Sequence, residues 1–395
     1  MNNYFKNKRG SGLANSWRSF VLIMGLGFIV AGCIEPYEAD IEEEVKVLSI
    51  EGSLIKGDDI QRVVVSRTTT LSYQQFLPLR GCQVLVIDDQ GNEFVYDENF
   101  DGTYTLAIPD DQLIFGRSYQ LRVRLPDGEE YISSLETLKS GAEVDSVYYD
   151  IENQVDRFTG EDLLGLQFYI DLKAADSISR YYRWKLTETY EYTASAPVSY
   201  YFEDPGLEPI ILENASEVFR CWKTNNLPTL FLSSTANLTV NEKKKIPLHY
   251  VSTISDRLKI KYSVFVEQFT LSENAYNYWL NSKVSTQESG GLYTQQPGTP
   301  ISNMRNPNDS TEIVVGFFWT SHKTKQRLFV PRIMDLPVIG EVCELAEFNI
   351  TDHGEGPFPR YIYEDQVRGQ ILTGSPFCFI CTLKGGSTDK PDFWE

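Results

Sequence analysis

The chain has 395 residues, 42% of them hydrophobic and 13% aromatic, and carries a formal net charge of −19 at pH 7. That charge excludes attraction to nucleic acid or to an anionic lipid surface as the basis of function. The length exceeds one ordinary domain, and the apolar content is ample for a packed core.

Residues 1–19 hold Lys6, Lys8, Arg9 and Arg18 and no acid, and an apolar run from Phe20 to Val30 follows. With Ala31 and Gly32 ahead of Cys33, this is the layout of an export signal, and the run is short for a bilayer span. Val30-Ala31-Gly32-Cys33 resembles a bacterial lipobox. On that reading residues 1–32 are a lipoprotein signal peptide and Cys33 becomes the first mature residue. Acyl chains, palmitate among them, on its thiol and amine anchor the protein to a membrane, where a single chain would bind only marginally. Loss of the four cations takes the net charge to about −23. Residues 33–44 form an acidic tether with Glu35, Glu38, Asp40, Glu42, Glu43 and Glu44. The tether holds the body off the lipid and resembles the surface-export signal of Bacteroidota lipoproteins. The expected location is the outer membrane, lipid-anchored, at the cell surface.

Residues 45–138 read as strands. Tyr119, Leu121, Val123 and Leu125 share one face of a strand, and Pro126-Asp127-Gly128 supplies turn chemistry after it. Asp101-Gly102 lies between two short strands as a hairpin signal. This spacing predicts an immunoglobulin-like β-sandwich. Asp97-x-Asn99-x-Asp101-Gly102 fits the start of a calcium loop, but the twelfth position is Ile108 rather than Glu. A hairpin turn accounts for the same residues without a metal.

Residues 139–395 predict a larger β-rich domain with at least one α-helix. Thr270-Leu271-Ser272-Glu273 fits a capping box with Thr270 as N-cap. Ala275, Tyr276, Trp279, Leu280 and Lys283 follow at helical spacing. The helix is expected to lay Tyr276, Trp279 and Leu280 on a sheet and to end before Gly290-Gly291. Tyr148-Tyr149, Tyr181-Tyr182, Tyr200-Tyr201 and Phe317-Phe318 are candidates to line a ligand surface, but at strand spacing they read first as a core residue beside an exposed one. The bulk of Phe393 and Trp394 predicts a tail that folds back onto the body.

Cys82 opens a strand and reads as a small buried hydrophobe. Cys221, Cys343, Cys378 and Cys381 are candidate disulfide partners outside the cytoplasm, with three pairings open. Cys378-x-x-Cys381 lacks the βαβ context of a redox site. As a zinc site it would need a second ligand pair, for which Cys343 and His353 are the residues at hand. No metal and no cofactor are expected. His249, His322 and His353 match no catalytic pattern, and no nucleophile elbow or phosphate loop is present. Carboxylates are plentiful, but their spacing singles out no glycosidase pair. No catalytic residue is therefore assigned. Asp145-Ser146-Val147, Asp176-Ser177-Ile178 and Asp309-Ser310-Thr311 resemble a short O-glycosylation motif of exported Bacteroidota proteins.

"LSIEGSL", "GRSYQLRVRLPDGEEYISS", "VDSVYY", "YYRW", "SENAYNYWLNSKVSTQESGGLYTQQPG", "VVGFFWTSHKTKQRLFV" and "CTLKGGSTDKPDFWE" occur in that order. From about Glu43 to Glu395 the chain resembles the Bacteroidota lipoprotein family known as domain of unknown function 4249. That family has no established activity, so the resemblance assigns no site residue. It implies surface placement, disulfides among Cys221, Cys343, Cys378 and Cys381, and work beside a TonB-dependent outer-membrane receptor. The leading expectation is a non-enzymatic accessory or binding partner of such a receptor. The alternatives are a surface hydrolase acting on glycan or peptide and a structural or adhesive surface protein.

Overall fold

A computed structural model of the protein describes residues 47–68, 77–99, 101–156, 159–175, 178–202, 210–212, 215–287, 302–349 and 359–395. The signal segment, Cys33, the acidic tether, Asp176-Ser177, Gly290-Gly291 and His353 lie outside them. The fold is mainly β, and residues 46–395 form one compact unit.

One long sheet runs through that unit. In spatial order its main strands are Arg220–Asn226, Tyr181–Thr193, Lys261–Leu271, Phe318–Pro331, Leu48–Lys56, Ile60–Arg67 and Thr103–Ala107. These neighbours are antiparallel except at the middle, where Leu48–Lys56 runs parallel to Phe318–Pro331 with Gly52 opposite Phe318. Two smaller sheets cover one face. At one end Gln83–Asp88, Ser118–Arg124 and Glu130–Ser133 pack Val84, Val86, Tyr119, Leu121 and Val123 onto Ile50, Leu54, Val63 and Val65. At the other, Ser146–Val155, Asp162–Lys173 and Glu242–Ser252 pack Leu166, Phe168 and Ile170 onto Trp184, Leu186, Val264 and Val266. The strand Phe318–Pro331 serves both cores, giving Phe318 to the first and Val330 to the second. These residues are an even number apart, so alternation puts both small sheets on the same side of the long one.

The expected sandwich features are present. Tyr119, Leu121, Val123 and Leu125 are buried, and Gly128 takes φ +96° in the turn. Asp101 caps the Thr103 N–H at 3.0 Å, a turn contact that uses the calcium-like residues as hairpin chemistry. Met304, Val314 and Phe318 return from late in the sequence to complete this first core, and Met304–Arg305 pairs with Glu130–Ser133.

The opposite face carries the helix Glu273–Gln287. Its cap is Ser272, whose Oγ accepts the Ala275 N–H at 3.1 Å. Thr270, the expected cap, stays in the strand ladder opposite Tyr182 and His322, because the sheet continues to Leu271. The helix packs Ala275, Tyr276, Tyr278 and Trp279 on Phe269, Leu271, Phe317 and Trp319. Leu280 instead points away and is 39% exposed. Phe317 and Phe318 are both buried, one under the helix and one in the first core. Gly316 makes this possible: it adopts φ +101°, and a Cβ there would stand 2.2 Å from the Ile50 carbonyl oxygen.

The last part of the chain is tied down twice. Cys221 bonds Cys381, and Cys343 bonds Cys378. The C-x-x-C cysteines thus have separate partners and act as a double staple, which removes them as a zinc or dithiol site. Cys82 is free and buried, as expected. The tail folds back: Trp394 is 3% exposed, donates its indole N–H to Glu191 at 3.2 Å, and meets Phe329 edge-on at 5.5 Å.

Candidate functional site

The helix covers only part of the sheet's outer face, and a cavity of about 220 Å³ opens beside it. Strand alternation turns Glu51, Ser53, Arg62, Val64, Arg183 and Trp319 outward into this space, while the helix adds Tyr278 and Trp279. Arg183 sits among aromatic rings. Its guanidinium carbon is 4.0 Å from the Trp279 ring centre, 5.5 Å from Phe269 and 5.9 Å from Trp319. Tyr278 stacks on Phe317 at 4.7 Å and closes the floor.

On the same face Lys323 is paired with Asp58 and Glu267, and Lys185 with Glu267 at 3.7 Å. Arg183 makes no ion pair among the described residues, and its Nε–H is buried without an acceptor. Burial lowers its pKa to about 10, so it remains a cation at neutral pH. The Trp279 indole N–H is likewise buried and unmet. Glu51 lines the same cavity, and its desolvation pushes the carboxyl pKa up. Arg62 is committed elsewhere, donating to Thr103 Oγ1 at 3.1 Å.

A second cleft of about 350 Å³ lies near the Cys221–Cys381 bond and is polar. Glu188 is buried there. Burial alone would raise its pKa, but the His249 ring at 3.6 Å, the Asn225 amide, Arg257 at 3.3 Å and the Tyr262 hydroxyl together bring it to about 2. Asp256 is held by Lys384 at 3.0 Å, and Lys384 also meets Glu341 at 3.2 Å. A carboxylate fixed as an anion in this way has no proton to give near neutral pH. The arrangement joins the disulfide region to the sheet through paired charges.

The residues singled out in the sequence are placed as follows. Cys221, Cys343, Cys378 and Cys381 form the two staples, while Cys33 lies outside the described residues. His249 faces Glu188, and His322 accepts the Gly141 N–H at 3.2 Å beneath Phe115. The Asp309 carboxylate accepts from the Thr311 N–H and hydroxyl in a tight turn, so that Asp-Ser-Thr triplet builds local structure. Among the described residues no group of three or more His, Cys, Asp or Glu is placed to hold a metal ion. Sequence reasoning passed over Glu51 and Arg183. Their signal was an acid and an arginine on the outward side of strands next to a helix rich in Tyr and Trp.

Among the described residues no helix is long and apolar enough to cross a membrane. The chain matches no curated protein. The profile of the family described as domain of unknown function (DUF4249) matches residues 34–327, more than half of the chain. The match spans the whole outward cleft and ends before the C-terminal tail. The protein therefore belongs to the DUF4249 domain family.

Proposed function

We propose that this protein is a non-enzymatic binding protein, held to the outer membrane through lipid on Cys33, that works as an accessory to a TonB-dependent receptor. The observation that carries the binding half of this reading is Arg183. A cation gripped by aromatic rings beside an open cavity, with no ion pair among the described residues, is suited to recognition. The fixed ion pairs of the polar cleft support the same reading, since they leave Glu188 unsuited to acid catalysis. The membrane half is supported by the Val30-Ala31-Gly32-Cys33 junction and by the acidic residues that follow it.

The test is a gentle-detergent pull-down of the tagged protein from native outer membranes, followed by mass spectrometry. A TonB-dependent barrel recovered in comparable amount is the expected result. Recovery of the protein alone would overturn the accessory role. Labelled palmitate should enter the parent and not Cys33→Ser, and equal labelling of both would overturn the anchor.

A further inference from the structure

We propose that the free edge of the strand Ser146–Val155 is a docking edge, at which an extended segment of a partner protein that alternates apolar and basic residues adds as a further strand.

This strand is the outer one of the three that cover the second core, in the order Ser146–Val155, Asp162–Lys173, Glu242–Ser252. It pairs with Asp162–Lys173 without a bulge, from Ser146 opposite Asp171 to Val155 opposite Asp162. Thr253 donates its N–H to the Leu164 carbonyl at 2.9 Å, so Leu164 turns its backbone groups toward Glu242–Ser252. Backbone groups alternate in direction along a strand, so Leu163 and Gly165 turn theirs toward their partners Gln154 and Glu152. The N–H and C=O groups of Ile151, Asn153 and Val155 therefore point to the open side. Among the described residues no hydrogen bond reaches them there.

Long free edges are ordinarily blunted by lysine, proline or a bulge. Ser146–Val155 contains no Lys, Arg or Pro. Ile151 and Val155 lie on the core side of the strand, yet they are 51% and 62% exposed. An added strand lays alternate side chains against these two, and apolar residues suit those positions. On the other side of the strand Asp150 and Glu152 share one cation, Lys245, at 2.8 and 3.7 Å. The balance stays negative, and Glu161 and Asp162 are exposed beside the end of the strand. Lys or Arg suits the positions of an incoming strand that fall on this side. The same charge disfavours a second copy of this chain: two such edges paired antiparallel about Ile151 would set Asp150 opposite Glu152. Main-chain bonds then supply the affinity of the added strand, and the alternating side chains supply its selectivity.

The experiment is hydrogen exchange on the detergent-solubilised full chain, read at single residues, with three synthetic octapeptides. One alternates Val and Lys, one alternates Val and Glu, and one has four Val followed by four Lys. Without peptide, the amides of Glu152 and Gln154 should be protected and those of Ile151, Asn153 and Val155 should exchange freely. The alternating Val–Lys peptide should bind saturably and protect these three. The Val–Glu and block peptides should bind about tenfold or more weakly. Asn153→Pro removes one outward N–H and keeps every bond to Asp162–Lys173, the setting in which edge strands tolerate proline. It should weaken the alternating Val–Lys peptide about tenfold or more. Equal binding of the alternating and block Lys peptides, unchanged binding by Asn153→Pro, or no added protection at Ile151, Asn153 and Val155 would each overturn the proposal. Self-association of the parent that Asn153→Pro abolishes would make the occupant a second copy and overturn the choice of partner. If Asn153→Pro does not fold, the protection of the three outward amides in the parent decides the matter.

Discussion

Arg183 on the sheet and Trp279 on the helix meet as a cation over a ring, 4.0 Å apart, with no hydrogen bond between them. The contact fastens the helix to the sheet mostly by shape and by the ring's negative face, which an apolar side chain of similar length can partly replace. Arg183→Met should therefore stay within about 2 °C of the parent melting temperature, because removal of an unpaired, half-buried charge offsets the lost attraction. Arg183→Ala leaves a void between Trp279, Phe269 and Trp319 and should cost about 2–3 kcal/mol. Differential scanning calorimetry of the two variants separates these effects. A fall of more than about 5 °C in Arg183→Met would mark the arginine as structural.

Glu188 makes stability depend on acid. Its folded pKa, about 2, lies below the usual 4.5. The stabilisation it brings is therefore present above about pH 4.5 and is lost as the pH falls toward 2. The gap corresponds to about 3 kcal/mol. Glu188→Gln should lose a similar amount at pH 7 and flatten the decline between pH 4.5 and 2, as read by urea unfolding at a series of pH values.

The two disulfides close loops of different size. Cys221 and Cys381 are 160 residues apart, and Cys343 and Cys378 are 35 apart. In the chain-entropy limit they contribute about 5 and about 4 kcal/mol. Cys381→Ser should thus cost more than Cys343→Ser in equilibrium urea unfolding. A reductant should lower the stability of the parent below that of either variant kept oxidised.

Trp394 is the anchor of the tail. Trp394→Ala should cost about 3–4 kcal/mol, since it empties a buried site beside Phe329 and strips Glu191 of a donor. Arg220, 3.1 Å from the other oxygen of Glu191, limits the loss. A thermal melt of the variant checks this.

Much of the fold was legible, because period-two alternation is a strong signal where one side of a strand is buried. Tyr119, Leu121, Val123 and Leu125 are the plainest case. What the alternation does not encode is which strand lies beside which. Nothing local tells Leu48–Lys56 that its parallel neighbour is Phe318–Pro331, more than 200 residues later. The helix was visible from Ala275, Tyr276 and Trp279, but its start was misplaced by two residues. Thr270 and Ser272 are both competent caps, and the long-range ladder through Thr270 decided between them. Phe317 and Phe318 read as one core residue beside an exposed one, yet both are buried, because Phe317 is covered by a helix some 40 positions away in sequence. The cleft was hidden for the same reason. Arg183 alternates with the core residues Tyr182 and Trp184, which by itself describes an arginine in water. It becomes a site only when Trp279 is laid over it. The disulfide pattern was open among three pairings, and spatial proximity alone selects one.

The parallel pairing at the centre of the long sheet also governs how the protein carries mechanical load. Leu48–Lys56 is bonded along both sides, to Ile60–Arg67 and to Phe318–Pro331. A pull transmitted from the residues that precede Leu48 runs along the axis of that strand, across rows of hydrogen bonds that must yield together rather than one after another. Were the same segment an edge strand pulled sideways, it would peel. Tension from the amino-terminal side thus enters the molecule along a strand held on both sides, and Ser53 of that strand lines the cleft.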